Sequence, residues 1–510
     1  MLGKGEVSTG EISEDVEEET NNKHRDILFF DAPYHTDQEL SYSLIKDSGE
    51  NMDLPRGMLS IASHLKEKNI SSDVIPLDSQ LYGRKDEFVT DGKFDPAKFE
   101  QAIEQIIDEK IDFSNPKAVA FGLMYTFVEP VVLQMTRHTK EMHPDKYVIV
   151  GGNHATFSDL ELLDPENNTG IDIVVRFEGE ETTEELMAEL QMSYPDLSKI
   201  KGISYRDGSG VVHQNPPRER ADLNQMPLLD YTIIDSPEGL DKFNQTAMFL
   251  RGCRGNCAFC TSPKFWNREL TKGRVENFEK EITYLAQNGV EIISVLDDDI
   301  LASEEGFNLI MDSLERVKEK FSEIKFIAQT RVIHLKDKEQ CQNQLDRMKE
   351  VGISRLYLGI ESGSQEILNE MSKGSKIEWV EQALRNVHEA GIETGGFWLF
   401  GHPGATKERE EESLQFMEKI LKNGLLDDIE AHDVVPFPGT RIAQDPRAQI
   451  FDHNKKHYGL LNNYPVYNLV DPETGNMILS ADEIKGFLDR SLELRKQYLG
   501  IERDIANKPN

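Results

Sequence analysis

Cys253, Cys257 and Cys260 fall in one eight-residue window, Cys253-Arg-Gly-Asn-Cys257-Ala-Phe-Cys260, and the chain's other cysteine, Cys341, lies about eighty residues on. Thiolates are soft metal ligands, and three of them are one short of a closed structural zinc site or a four-thiolate iron–sulfur centre. A four-iron cubane held by three thiolates keeps one iron open to a chelating ligand, which a purely electron-carrying cluster does not need. Arg254, Gly255 and Asn256 between the first two cysteines suit a tight loop that wraps its cargo with backbone. The other reading of the window is a zinc loop completed by a distant histidine.

Strands and helices must carry that loop. Thr246 to Leu250 reads as a strand delivering it, and Val275 to Asn288 as a helix with Phe278, Ile282 and Leu285 on one face. Further strands are expected at 291–296, ending in Asp297-Asp298-Asp299, then at 325–331, 355–362, 394–403 and 429–440, with helices between them. Six strand–helix units suffice for a partial (β/α)6 barrel, whose chemistry is expected at the strands' C-terminal ends.

Upstream, apolar runs at 27–30, 72–77, 118–123, 147–152 and 172–176 alternate with helical patterns such as 55–68. That alternation predicts a Rossmann-like, doubly wound parallel sheet, which binds ligands beyond the carboxyl ends of its strands. There lie Gly151-Gly152-Asn153-His154, open to a bulky group, and Glu178-Gly179-Glu180-Glu181; the dinucleotide fingerprint G-x-G-x-x-G is absent. The expected organisation is an acidic disordered tail over 1–24, the doubly wound domain over 25–195, and a connector with a small hairpin over 196–245. The barrel follows over 246–440, then a mainly helical C-terminal segment over 441–510. In that last segment Ser480-Ala-Asp-Glu483 reads as a capping box.

With 57 basic and 92 acidic residues the net charge is −35, which disfavours nucleic acid as a partner. Clustered cysteines without a disulfide framework point to a reducing, cytoplasmic setting, and no run of residues has the length and apolarity to cross a bilayer.

The C-x3-C-x2-C spacing with aromatic Phe259, followed by six barrel units, resembles the radical S-adenosylmethionine (radical SAM) family. The upstream sheet resembles the cobalamin-binding domain that precedes many such barrels. The resemblance implies a [4Fe–4S] cluster on Cys253, Cys257 and Cys260, with S-adenosylmethionine on the open iron. It implies cofactor contacts from Phe259, Asp297, Gln329, Glu361, Ser362, Gly401 and Pro436. Asp297-Asp298-Asp299 replaces the family's G-G-E, so which acid grips the methionine amine is open. For cobalamin it implies Gly151, Gly152, His154 and Glu178. His154 lies outside any D-x-H-x-x-G motif and is not expected to ligate cobalt.

The function so implied is a cobalamin-dependent C-methyltransferase acting at an unactivated carbon of a small molecule or natural-product precursor. It would draw electrons from a flavodoxin or ferredoxin with its reductase. A non-methylating radical enzyme (dehydration, rearrangement or epimerisation) is the alternative within the same fold. A corrinoid-sensing module is the alternative outside it, and the full set of barrel units argues against that.

Overall fold

The computed structural model describes residues 24–33, 52–90, 93–236, 243–453, 455, 458 and 465–501. The acidic tail, save residue 24, lies outside them, as do residues 459–464.

Five parallel strands form the heart of the first sheet: β1 (Ile27–Asp31), β2 (Ser72–Pro76), β3 (Ala118–Gly122), β4 (Tyr147–Gly151) and β5 (Ile173–Val175). They run in the order β2-β1-β3-β4-β5, so the direction of winding reverses between β1 and β3. The hairpin expected in the connector, β6 (Ile203–Arg206) and β7 (Val212–Gln214), extends this sheet antiparallel beyond β5 and belongs to the first domain.

The strands read as unbroken apolar runs because both faces are covered. Leu28, Phe30, Val119, Phe121, Val148 and Val150 join one core with helices α1 (Pro96–Ser114) and α2 (Glu129–Met142). Ile27, Phe29, Ala120 and Ile149 point the other way, into a core that continues without interruption into the second domain. Helix α1 starts where Asp95 accepts from the Ala97 and Lys98 amides, with Pro96 in its first turn, and ends at left-handed Asn115.

The second sheet has six parallel strands. They are β8 (Thr246–Ala247), β11 (Ile292–Val295), β12 (Lys325–Arg331), β13 (Ile353–Glu361), β14 (Glu393–Phe400) and β15 (Asp428–Asp433), paired in that order. The expected strand 246–250 is broken. Both carboxylate oxygens of Asp297 accept from the chain after Ala247, from Phe249 N at 2.8 Å and Leu250 N at 3.0 Å. The chain therefore leaves the sheet and forms a short antiparallel pair, β9 (Leu250–Arg251) with β10 (Thr271–Lys272). The cysteine loop is the tip between those two strands.

The C-terminal segment differs from a mainly helical one in its first half, where β16 (Ala448–Ile450), β17 (Tyr467–Val470) and β18 (Met477–Leu479) form a small antiparallel sheet. Helix α3 (Ala481–Leu499) follows, with the Ser480/Glu483 capping box present and Gly500 closing it in the left-handed region. No described helix is long and apolar enough to cross a membrane.

Candidate functional site

Cys253, Cys257 and Cys260 are all part-exposed on one loop, and backbone contacts from distant segments fix its course. Ala258 N donates to Met371 O at 2.8 Å, Arg441 Nη2 to Asn256 O at 2.6 Å, and Arg268 to Arg254 O at 3.3 Å. Gly255 N donates to Cys253 Sγ at 3.3 Å. A Cβ at Gly255 would sit 3.2 Å from Cys253 Sγ and 3.8 Å from Cys257 Sγ, so glycine is what leaves both sulfurs accessible. Burial pushes the Cys260 thiol up to about 12 and raises that of Cys253, so ligation must drive the protons off. Among the described residues no group of three or more His, Cys, Asp or Glu side chains is drawn together as a ready-made site for a single ion.

The three aspartates after β11 divide the work. Asp297 is fully buried, and both its oxygens serve the Phe249 and Leu250 amides; its burial pushes it up to about 7. Its expected contact with a cofactor is therefore replaced by a structural one, holding the strand break open. Asp299 accepts from Thr330 Oγ1 at 2.7 Å and lies 2.9 Å from His334 Nε2. Asp298 and Asp299 both lie near enough to bear on Cys253, and Asp298 on Cys260 as well; burial pushes Asp298 up to about 6 against a hydrogen bond from Ser262.

Glu361 closes β13 at a register shift with φ +69°, an uncommon conformation for a residue with a side chain. Its carboxylate lies 2.6 Å from Lys373 Nζ, both side chains only 7% exposed, and the ammonium sits 5.9 Å over the Phe259 ring. A Cβ at Gly359 would collide with that ammonium. Burial lowers the Lys373 pKa, but Glu361 and Cys257 outweigh it and the net shift is upward, so the ammonium stays charged. Ser362 is fully buried behind the strand end and holds Ser364 N and Ser413 Oγ. Gly401 (φ +83°) spends its N–H on Glu410 and its carbonyl on Tyr467, and Pro436 is buried. Those three support the mouth from behind.

Above the loop lies a cavity of about 980 Å³, shared by both domains. Asp31, Gly122, Gly151, Gly152 and Glu178 line it from the first domain, and Arg251, Thr261, Gln329, Tyr357 and Glu430 from the second. Gly152 has φ +121°, and a Cβ there would meet Leu123 O at 2.6 Å; at Gly151 the nearest atom is an ordinary 3.6 Å away. This edge is a bare backbone shelf of the kind a large, flat corrinoid needs. No His or Cys is among the described residues lining the cavity. His154 is buried off it, Nδ1 2.9 Å from Thr126 Oγ1 and Nε2 against Glu129, so both ring nitrogens are engaged and it neither touches the cavity nor can reach a metal there.

Glu178 lines the cavity but is not free. It takes Arg251 Nη1 at 3.0 Å and Arg220 Nε at 2.7 Å, while Glu180 takes Arg251 Nη2 at 2.8 Å. Arg251 stands two residues before Cys253. On the other side, Asn153 Nδ2 donates to Thr261 Oγ1 at 2.7 Å, one residue past Cys260. The shelf thus grips the cysteine loop at both ends. Arg251, Thr261 and Lys373 escaped the sequence reading; only the proximity of Arg251 and Thr261 to the cysteines could have flagged them.

Two family models match the chain: the B12 binding domain over residues 50–187 and the radical SAM superfamily over residues 248–417. The chain is a radical SAM enzyme with a B12 binding domain. Its cofactors are a [4Fe–4S] cluster, S-adenosylmethionine and cobalamin. An uncharacterized methyltransferase of Pyrococcus horikoshii is 28% identical over 370 residues, 71% of this chain and 73% of that protein. The anaerobic magnesium-protoporphyrin IX monomethyl ester cyclase of Synechocystis sp. is 24% identical over 334 residues, 64% of this chain and 63% of the cyclase. The radical SAM methyltransferase TsrM from Kitasatospora setae, solved with cobalamin and a [4Fe–4S] cluster bound, superposes with TM-score 0.64. It shares 17% identity, with 89% of this chain and 87% of TsrM covered, and the likeness is one of fold.

Proposed function

We propose that this radical SAM enzyme is a C-methyltransferase acting on a small-molecule or natural-product precursor. The observation that carries the reading is the single cavity, about 980 Å³, which joins the glycine shelf of the B12 domain to the interior of the barrel. A substrate carbon lodged there would lie between the two cofactor sites, away from bulk water. When bound, the cluster would supply one electron to S-adenosylmethionine, and the corrinoid would carry the methyl group.

The chain's own residues bind and orient. Cys253, Cys257 and Cys260 hold the cluster. Asp298, which bears on both Cys253 and Cys260, is suited to the methionine amine. Glu361, held by Lys373 at the end of β13, is suited to the ribose. Gln329, Tyr357 and Glu430 face the substrate space inside the barrel. The related P. horikoshii protein named as a methyltransferase supports the reading, while the cyclase relative keeps a non-methylating radical outcome as the alternative.

Product analysis separates the two. A methyltransferase of this kind uses one S-adenosylmethionine for the radical and a second to recharge the corrinoid. With true substrate, 5′-deoxyadenosine and S-adenosylhomocysteine should therefore form in near-equal amounts. Sustained turnover without S-adenosylhomocysteine would overturn methyl transfer in favour of the alternative.

A further inference from the structure

The cysteine loop is electrostatically unlike the rest of the molecule. The chain carries a net charge of −35, yet residues 251–275 hold six basic residues (Arg251, Arg254, Lys264, Arg268, Lys272, Arg274) and one acidic residue, Glu269. Arg251 is spent inside, on Glu178 and Glu180. The others lie at or near the surface. Lys272 and Arg274 reach exposed carboxylates, Glu305 and Glu276.

Three arginines beside the cluster loop meet no carboxylate among the described residues. Arg268 donates only to Arg254 O, and Arg441, from the end of the barrel, only to Asn256 O. The Arg254 side chain makes no hydrogen bond or ion pair among the described residues. Lys264, on the short helix just past Cys260, rests its ammonium 5.1 Å over the Phe157 ring and likewise has no carboxylate. All four are exposed, and so is Asn256. Arg254 and Asn256 lie between cluster ligands in sequence, so the collar sits on the protein surface closest to the thiols.

We propose that this basic collar is the docking surface for a small acidic one-electron donor protein. The inference rests on the radical SAM reading, since only a cluster that must be reduced needs such a partner. Over most of its surface a chain of this charge repels an acidic protein. An uncompensated positive rim around the cluster loop makes the productive approach the favoured one and speeds encounter. The step is electron transfer alone: the donor is oxidised by one electron, the cluster is reduced by one, and no bond is made or broken between them. Such docking is rim electrostatics, so it acts on the association rate and falls with ionic strength.

The test uses holoprotein with a fully reduced bacterial flavodoxin as the probe and dithionite as the small-molecule control. Arg254→Glu is the lead variant because its side chain holds nothing else in place. Arg254→Glu/Lys264→Glu extends the reversal without touching the two arginines that brace the loop. The expected result is a flavodoxin-driven cluster reduction rate that falls about tenfold or more at low salt, and loses its salt dependence, in the double variant. Iron content and dithionite-driven reduction should match wild type. Equal rates with flavodoxin in wild type and variants would overturn the docking proposal. So would a parallel loss of dithionite-driven turnover with substrate, because the collar would then serve the substrate. A wild-type protein that binds no iron, or cleaves no S-adenosylmethionine under dithionite, would instead sink the enzyme reading itself.

Discussion

The glycine shelf and the cluster site are built by opposite means. The shelf of the first domain works by lacking side chains: Gly151 and Gly152 expose backbone, and the nearby His154 is turned away into its own hydrogen bonds. The cluster site, beside the cavity rather than on its wall, works by crowding polar and charged groups: three thiols on one loop and the buried Glu361–Lys373 pair at a strand end. A surface made of bare backbone tolerates a range of polar edges and relies on shape. A surface made of buried charges is specific, and it is costly to break at any one member. The contrast predicts that damage on the two sides will look different.

The largest effect is expected on the charged side. Cys253→Ala, Cys257→Ala or Cys260→Ala should each reduce iron after anaerobic reconstitution from about four per chain to near none. Cys341→Ala should leave it unchanged, since Cys341 is wholly buried in the helix Lys338–Glu350 with its thiol directed to backbone carbonyls. Iron dependence on Cys341 would mean that the open-iron reading is wrong.

Next comes the buried pair. Lys373→Met strands the Glu361 carboxylate without a partner and should cost about 3–5 kcal/mol in chemical denaturation. Lys373→Met/Glu361→Gln should recover much of that, because the double variant buries no lone charge. If the single variant were as stable as wild type, the charged side would be no more fragile than the shelf.

On the shelf, Gly152→Ala forces a Cβ onto Leu123 O in a left-handed conformation and should cost on the order of 1–3 kcal/mol. Visible absorption should show the corrinoid lost while iron stays bound. Gly151→Ala, with ordinary contact distance around it, is the smallest change, a modest loss of corrinoid retention at most. Loss of iron in Gly152→Ala would show that the two sides do not fail independently.

The same contrast explains what the sequence disclosed. The thiol spacing, the apolar strand runs and the Ser480/Glu483 cap are local patterns, and each appears where its spacing places it. Asp297, Ser362 and His154 are of types that suit chemistry, while the contacts each makes depend on which groups fold against it. Asp297 is claimed by two amides almost fifty residues upstream. Lys373 and Arg251 were invisible for the converse reason, since single cations in polar stretches carry no periodicity. The break after Ala247 likewise has no cue in the run Thr246–Leu250, because the carboxylate that causes it arrives from another strand.

The undivided core has a consequence of its own. Ile27, Phe29, Ala120 and Ile149 of the first sheet share one apolar body with Phe278, Leu314 and Leu356 of the barrel. Arg56 adds a buried fork to Glu281 across the same seam. Cutting the chain there would bare an oily face on both fragments. The two modules, though separable in the catalogue of protein families, are in this chain a single heritable unit. A chimera that exchanged one of them would have to carry the matching seam along with it, and heating should melt them together.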